Sequence, residues 1–255
     1  MHFKGAGAYY EAGRDCYPST LVQFVNEIVE RAAPRNILDL AAGTGRLSRS
    51  LQAGPWNLIC LDRELQMLVE GRRHSLSNAE HVFWVAAESP HLPIHDHAID
   101  LVLIGNALHW IDRSLPAERL AKKARDGCHL LIVTRSSFLS GPEPWKEQVR
   151  ALLHSLTPDS LACYLNEVEP RLGAHETYLS DVFARTAERT FVNTAVFDPT
   201  SYADFLLSTS IARSAAKRLD KHDLIRRLNK LTRSGGKVRQ LEETIAYKAT
   251  LAVKT

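Results

Sequence analysis

Apolar residues in the first half of the chain alternate between short continuous runs and a helical spacing. The runs, each of the length of a buried strand, occur at residues 37–40, 57–61, 81–86, 99–104 and 130–134. Before the first run, apolar residues recur at helical spacing, at Leu21, Phe24, Val25, Ile28 and Val29. Because strands that alternate with helices form parallel sheets covered on both faces, this half predicts a doubly wound α/β core.

The pattern of apolar residues changes after the turn-forming residues 141–144. A mostly helical pattern then extends over residues 145–188, with breaks at two prolines, Pro158 and Pro170. Beyond it, the pattern predicts a strand at 191–197, helices at 202–213 and 219–231, and a final strand at 244–253. A chain of 255 residues fits one domain with an elaborated edge.

The most informative segment is the turn that follows the first strand. Residues 37–48 read Ile-Leu-Asp-Leu-Ala-Ala-Gly-Thr-Gly-Arg-Leu-Ser, which places an acidic residue, Asp39, before a glycine-rich turn. Gly43 and Gly45 have no Cβ, so the backbone there can adopt positive φ and approach a ligand closely. We expect a helix to begin near Arg46 and to direct its first N–H groups toward the same place.

Two known nucleotide-binding motifs partly match this turn, and neither match is complete. A dinucleotide fingerprint requires a third glycine at position 48, where this chain has Ser48. The Gly-Lys-Ser/Thr ending of a phosphate-binding loop is also missing. The turn therefore favours a ligand with a ribose and an amino-acid tail but no phosphate. An ordinary strand-to-helix turn is the alternative.

Polar residues follow three further strands at the point where each one ends. Asp62 ends the second strand, Ala87 and Glu88 follow the third, and residues 106–110 follow the fourth. Ligands of open α/β sheets lie outside the carboxyl ends of the strands, where a carboxylate accepts hydrogen bonds from ribose hydroxyls. We therefore expect one pocket at this edge. The alternative for Asp62 is an N-cap on the predicted helix 64–71.

With these motifs in place, the chain resembles the class I S-adenosylmethionine-dependent methyltransferases. The motifs that carry the resemblance are residues 39–45, Asp62, Ala87-Glu88, Leu92-Pro93, Asp100-Leu-Val and Ala107-Leu-His-Trp110. Within that class it is most similar to the type-11 small-molecule group, which includes trans-aconitate methyltransferase-like proteins. The opening Tyr9-Tyr10, Arg14 and Tyr17-Pro18 also resembles this group, although Asp15 stands where the group usually has proline. The resemblance covers residues 8–135.

The resemblance implies a Rossmann-like, doubly wound, mostly parallel seven-stranded sheet with an antiparallel last strand and a helical cap. It implies S-adenosylmethionine as cofactor, with S-adenosylhomocysteine as product. The implied cofactor-binding residues are Arg14, Asp39, Ala41, Gly43, Thr44, Gly45, Asp62, Arg63, Met67, Ala87, Glu88 and Asn106. The implied substrate-binding residues are Tyr9, Tyr10, His109 and Trp110.

The expected layout is a single methyltransferase domain over residues 1–255. An N-terminal cap segment occupies 1–35 and the cofactor-binding core 36–135. A helical substrate cap occupies 136–190, and residues 191–255 supply the strands and helices that complete the sheet. The cap and the segment with Tyr9 and Arg14 would cover the pocket and determine the substrate.

Methyl transfer needs little acid–base machinery, and His109 is the candidate for it. An imidazole titrates near neutral pH and can accept a proton from an oxygen or nitrogen nucleophile. The alternative is a structural histidine that bonds a neighbouring backbone group. Trp110 is expected to form a wall of the pocket. His91, His95 and His97 lie in a loop without nearby cysteine, so we expect no metal site.

Composition is that of an ordinary soluble enzyme. The net charge of +3 is too small to indicate nucleic-acid binding. The chain has no apolar run of about 18 residues and no apolar N-terminal core, so we expect neither a membrane span nor a signal peptide. Its four cysteines form no Cys-x-x-Cys pair, which is typical of reduced thiols in the cytoplasm.

The sequence thus predicts transfer of a methyl group to an O, N or carboxylate of a small-molecule metabolite. Two alternatives remain open: an S-adenosylmethionine-binding enzyme that catalyses another step, such as a cyclisation, and a non-catalytic cofactor-binding subunit that activates a partner. A nicotinamide-dependent oxidoreductase is disfavoured by the missing third glycine. The methyl acceptor, the pathway and the oligomeric state cannot be read from the sequence.

Overall fold

A computed structural model describes most of the chain. It covers residues 7–75, 80–88, 91–111, 115–172, 175, 179, 182–211, 220–234, 237–238 and 240–255, without the side chains of 232–238. These residues group into two compact units. We call Cys16–Arg135, Gly173–Phe191 and Tyr247–Thr255 the core unit, and Met1–Asp15, Ser136–Leu172 and Val192–Ala246 the helical unit.

A seven-stranded sheet forms the centre of the fold. Its strands are β1 (Asn36–Leu40), β2 (Asn57–Asp62), β3 (Val82–Ala86), β4 (Ile99–Gly105), β5 (Ala124–Arg135), β6 (Phe183–Phe197) and β9 (Leu241–Lys254). A short hairpin of β7 (Arg233–Ser234) and β8 (Lys237–Val238) forms a separate two-stranded sheet. The strand order is β3-β2-β1-β4-β5-β9-β6.

The pairing of the strands confirms the predicted fold class. Strands β1 to β5 pair in parallel, whereas β9 is antiparallel to β5, with Ile132 opposite Thr250. The order runs outward from β1 in both directions, which places a switch point between β1 and β4. Ligand sites of open α/β sheets lie at such a point.

Helices of the core unit are α2 (Ser19–Ala32), α3 (Leu65–Arg73), α4 (Leu108–Ile111) and α5 (Ala117–Lys123). Those of the helical unit are α1 (Gly7–Gly13), α6 (Pro144–Leu156), α7 (Pro158–Cys163), α8 (Pro199–Leu207) and a further helix, Lys221–Thr232. The apolar spacing predicted for α2 is observed, because Leu21, Phe24, Val25, Ile28 and Val29 are all buried. No helix of the described ranges is long and apolar enough to cross a membrane.

The central strands are apolar on both faces, as parallel strands covered by helices require. Leu38, Val102, Leu130 and Ile132 are fully buried and belong to one cluster with residues of α4 and α5. A rigid central sheet of this kind fixes the positions of the loops at its carboxyl edge.

One local prediction is wrong: no α-helix begins near Arg46. After the glycine turn the chain forms only a single 3₁₀ turn, Ser48–Ser50. The Arg49 N–H donates to the Gly45 carbonyl at 2.7 Å, as in an α-helix, but the N–H groups of Ser50 and Leu51 donate three residues back, to the carbonyls of Leu47 and Ser48, each at 3.1 Å. At Leu51 the backbone becomes extended, with φ of −68° and ψ of 141°, and the helical conformation ends.

The second half also differs from the predicted boundaries. Strand β6 begins at Phe183 rather than at residue 191, so residues 173–191 group with the sheet and not with the helices. The alternation of exposed and partly buried residues along β6 is that of an edge strand, and its many polar residues resemble a helical pattern. The role of the helical unit as a substrate cap stays a prediction.

Candidate functional site

The turn after β1 is held in an unusual backbone conformation. Ala41, Gly43 and Gly45 all have positive φ, at 54°, 59° and 71°. For alanine, this left-handed region costs roughly 1–2 kcal/mol. At Gly45, a Cβ would lie 2.8 Å from the ring of Trp84, so only glycine fits there. Strain of this kind, held in place by surrounding contacts, is typical of ligand-binding loops.

Two polar side chains of this segment are buried with atoms that have no hydrogen-bond partner. Asp39 is 1% exposed and Thr44 is fully buried. Ser48 donates a side-chain hydrogen bond to Asp39. The other side-chain atoms, Asp39 Oδ2 and Thr44 Oγ1, have no hydrogen-bond partner within the described part of the chain. An orphaned buried polar atom costs about 1–3 kcal/mol, and a bound ligand that supplies N–H donors would remove this cost.

The buried position of Asp39 changes its acidity. The pKa of Asp39 is raised to about 7: burial is the main cause, hydrogen bonds from Ser48 act against it, and the nearby charge of Asp62 adds to it. On the adjacent strand, burial and the charge of Asp39 raise the pKa of the Cys60 thiol. The described residues provide Asp39 with no lysine or arginine ion-pair partner. The segment around Asp39 therefore favours the binding of a cationic ligand group.

Asp62, at the end of β2, joins two loops of the site. Its Oδ2 accepts the N–H of Gly43 at 2.8 Å, and its Oδ1 accepts the N–H of Glu64 at 2.8 Å. Burial raises the pKa of its carboxyl, although these two hydrogen bonds lower it. Asp62 is not the N-cap of α3, because that position is Glu64. Each oxygen keeps a further lone pair for a ligand hydroxyl.

The loops after β2 and β3 lie beside this carboxylate. The N–H of Ala87 donates to the carbonyl of Asp62 at 3.0 Å, and Glu88 accepts the N–H of His91 at 2.9 Å through its carbonyl. Met67 is buried in α3, with its Cε 3.4 Å from where a Gly43 Cβ would be. The Arg63 side chain is half-exposed and lies 3.9 Å from Glu64.

The segment after β4 has the second strained residue of this edge. Asn106 has φ of 54°; its N–H donates to the carbonyl of Val133 at 2.6 Å, and its Oδ1 accepts the N–H of Arg135 at 3.4 Å. His109 is 7% exposed, and its ring lies 4.9 Å from that of Trp110, between centroids. The core unit thus brings the turn, Asp62 and these residues to one edge of the sheet.

Three predicted site residues belong to the helical unit, where their contacts are structural. Arg14 is held between the rings of Tyr10 and Phe205, at 5.0 and 4.8 Å from the centroids, and its Nε donates to Ser208 Oγ at 2.9 Å. Tyr9 lies 5.9 Å from Lys221 Nζ. The cofactor role of Arg14 and the substrate roles of the two tyrosines stay predictions.

Three residues that were not predicted as part of the site help to shape it. Ser48 bonds Asp39, Trp84 packs against Gly45, and the Tyr17 hydroxyl lies 3.1 Å from where a Gly105 Cβ would be. Tyr17 was visible in the opening motif, but nothing in the sequence signals the other two contacts. No three His, Cys, Asp or Glu side chains of the described chain group closely enough to hold a metal.

Comparison with known proteins agrees with this geometry. A family model described as a methyltransferase domain matches residues 37–126. An uncharacterised methyltransferase of Mycobacterium tuberculosis is 31% identical over 133 residues, which cover 52% of this chain and 51% of that protein. A demethylmenaquinone methyltransferase of Clavibacter sepedonicus is 39% identical over 117 residues, or 46% of each chain. The chain therefore spans about half the length of these relatives.

Solved structures support the fold over nearly the whole chain. A protein described as a type II methyltransferase, from Anaeromyxobacter dehalogenans, aligns with a TM-score of 0.60 and 18% identity, over 94% of this chain and 97% of that one. YcgJ of Bacillus subtilis aligns with a TM-score of 0.53 and 15% identity, over 93% and 99%. Residues 37–126 are thus similar to a methyltransferase domain, and the fold of the chain is that of these solved structures.

Proposed function

We propose that the protein transfers a methyl group from S-adenosylmethionine to an oxygen, nitrogen or carboxylate of a small molecule. The observation that carries this proposal is the strained turn with two buried acceptor atoms, Asp39 Oδ2 and Thr44 Oγ1. Such a site suits a ligand with a cationic, N–H-rich end. The name of one relative, a demethylmenaquinone methyltransferase, supports a small-molecule acceptor.

The residues present fit the cofactor. The methionine end of S-adenosylmethionine carries an ammonium, which has three donors and no acceptor, so it complements Asp39 and Thr44. The free lone pairs of Asp62 suit the two ribose hydroxyls. The loop at Ala87 and Glu88 is joined to Asp62 by a backbone hydrogen bond, which supports its proposed role in contacting the adenine.

Rate acceleration in this site would come mainly from positioning. The cofactor supplies a methyl carbon made electrophilic by its sulfonium. Holding a nucleophile in line with that carbon can contribute about 7–11 kcal/mol. His109 is proposed as the base that accepts the nucleophile's proton, and its buried, packed ring suits that role because a base must be held in place.

The substrate would be held by aromatic and helical elements. Trp110 follows His109 and offers a large apolar face with one N–H donor. Tyr9, Tyr10 and the helices between Pro144 and Arg171 are proposed to supply the remaining contacts and to determine which metabolite is accepted.

Two measurements test the proposal. Isothermal titration calorimetry with S-adenosylmethionine, S-adenosylhomocysteine and NAD should give binding for the first two and none for NAD. Incubation with a labelled methyl donor and a metabolite extract should then label a low-molecular-weight product, with His109→Asn protein as the matched control. Binding of NAD alone would refute the cofactor assignment. Cofactor binding with label only on macromolecules would refute the small-molecule acceptor.

A further inference from the structure

The buried carboxyl of Asp39 has a property that cofactor binding alone does not require. It lies in the middle of the sheet, where β1 is flanked by β2 and β4, with Cys60 and Leu103 as its register partners. It is 1% exposed, and its Oδ2 has no donor among the described residues. An ionised carboxylate with so few donors is costly to bury, and such groups keep a proton instead.

The groups that face Asp39 favour the protonated form. From β2 they include a second carboxylate, Asp62, whose charge opposes ionisation. Ser48, from the turn, acts in the opposite direction because its hydrogen bonds lower the pKa, and Leu103 on β4 brings no charge. Arg49 acts on the Cys60 thiol but is not among the groups that affect Asp39. Burial is accordingly the dominant cause of the raised pKa of Asp39, about 7.

A ligand ammonium next to Oδ2 would reverse this balance. It supplies both the missing positive charge and the missing donors, and each of these favours the carboxylate over the acid. We propose that Asp39 holds a proton while the cofactor site is empty and releases it to solvent when a cofactor with a free ammonium binds. The step leaves a carboxylate against the ammonium and one proton in the buffer. This inference rests on the proposed cofactor site.

The exchange has a functional consequence. Because the proton must leave before the ammonium is bound, protons compete with the cofactor below neutral pH. Cofactor affinity should rise about tenfold for each pH unit from pH 5 to 6 and level off above pH 7. A neutral Asp39 also lowers the negative charge of the site without ligand, which weakens its attraction for metal cations and other amines.

The test measures protons directly. Titration calorimetry with S-adenosylhomocysteine at pH 6, in two buffers of different ionisation enthalpy, gives the number of protons released per ligand bound. With a carboxyl pKa of about 7, we expect about 0.9 proton at this pH. Adenosine, which lacks the amino-acid tail, should release none. At pH 6 the ammonium of the ligand is itself fully protonated, so it does not contribute.

Variants identify the group that titrates. Asp39→Asn should bind S-adenosylhomocysteine without releasing a proton, whereas Asp159→Asn, the same change at an exposed position in α7, should release as many as the wild type. If Asp39→Asn does not fold, the affinity of the wild type for S-adenosylhomocysteine between pH 5 and 8 still tests the inference, because an affinity that does not change with pH would overturn it.

Four results would overturn the inference. They are binding without proton release, affinity that is constant from pH 5 to 8, the same release from adenosine, and undiminished release from Asp39→Asn. In each of these the cofactor still binds, so the proposed function survives. Absence of binding by both S-adenosylmethionine and S-adenosylhomocysteine would instead refute the proposed function, and with it this inference.

Discussion

The raised pKa of Asp39 makes a specific prediction about the stability of the protein without ligand. Its carboxyl has a pKa of about 7 in the folded state, against 3.8 for an exposed aspartate. Between these values the folded chain holds a proton that the unfolded chain has lost. Stability therefore falls as the pH rises through this window and is constant above pH 7, because both states are then ionised. This direction is opposite to that of a salt-bridged carboxylate.

The magnitude follows from the size of the pKa difference. About three pH units at about 1.4 kcal/mol each give about 4 kcal/mol over the whole window. Between pH 5 and 8 the contribution is about 3 kcal/mol, of order one third of the stability of a typical domain. Asparagine has the same shape and no charge, so Asp39→Asn removes this contribution.

Urea unfolding of both proteins at pH 5, 6, 7 and 8 measures the effect. The free energy of unfolding of Asp39→Asn minus that of the wild type should increase by about 3 kcal/mol from pH 5 to 8, with most of the change complete by pH 7. Only this pH-dependent change is interpreted, because the amide has its own hydrogen-bonding needs near Ser48. The other carboxylates titrate in both proteins and cancel.

The exposed Asp159, in the first turn of α7, provides the control. Asp159→Asn makes the same chemical change at an exposed position, so it measures what the substitution does in the absence of burial. If the difference between Asp39→Asn and the wild type is constant across the pH range, Asp39 is ionised in the folded protein. The reasoning from burial would then be refuted.

Three further changes test the site. Asp62→Ala should weaken S-adenosylhomocysteine binding, measured by calorimetry, by about 2–4 kcal/mol, because two ribose hydrogen bonds to a charged acceptor are lost. The N–H of Gly43 also loses its acceptor. Unchanged affinity in folded protein would leave Asp62 only its role in the turn. Glu88→Ala should cost less in the same assay, since the backbone link of Ala87 to Asp62 remains, and an equal or larger loss would assign adenine recognition to the Glu88 side chain. His109→Asn should lower single-turnover methyl transfer by about 10²–10⁴-fold with little change in cofactor affinity, and an unchanged transfer step would exclude it as the base.

Much of the core could be predicted because its signals are local. Strand β4 is apolar from Leu101 to Ile104, and the burial of this run on both faces follows from the parallel pairing that strand–helix alternation demands. The positive φ of Gly43 and Gly45 was likewise expected, since glycine carries no Cβ. By contrast, the left-handed conformations of Ala41 and Asn106 depend on contacts made by the completed sheet.

The remaining errors concern features that depend on local hydrogen bonds and tertiary contacts, which the spacing of apolar residues cannot reveal. Residues 46–50 begin a helical turn, yet the N–H groups of Ser50 and Leu51 bond carbonyls three residues back and the backbone becomes extended at Leu51. The start of β6 at Phe183 depends on pairing with β9, which is distant in sequence. Arg14 was assigned to the cofactor from its motif, yet its observed contacts with Tyr10 and Phe205 arise from tertiary packing.

The missing helix after the glycine turn has a consequence for the ligand that the site selects. A helix beginning there would direct free N–H groups and a partial positive charge at the ligand, which favours phosphates. Instead, the turn is followed by a single 3₁₀ turn, and the N–H of Gly43 is already bonded to Asp62. Among the described side chains of this segment, Asp39 Oδ2 and the Thr44 hydroxyl are buried without a hydrogen-bond partner. A carboxyl group at this place disfavours a dinucleotide diphosphate and favours a cationic amino-acid tail, which is the end that distinguishes S-adenosylmethionine from NAD.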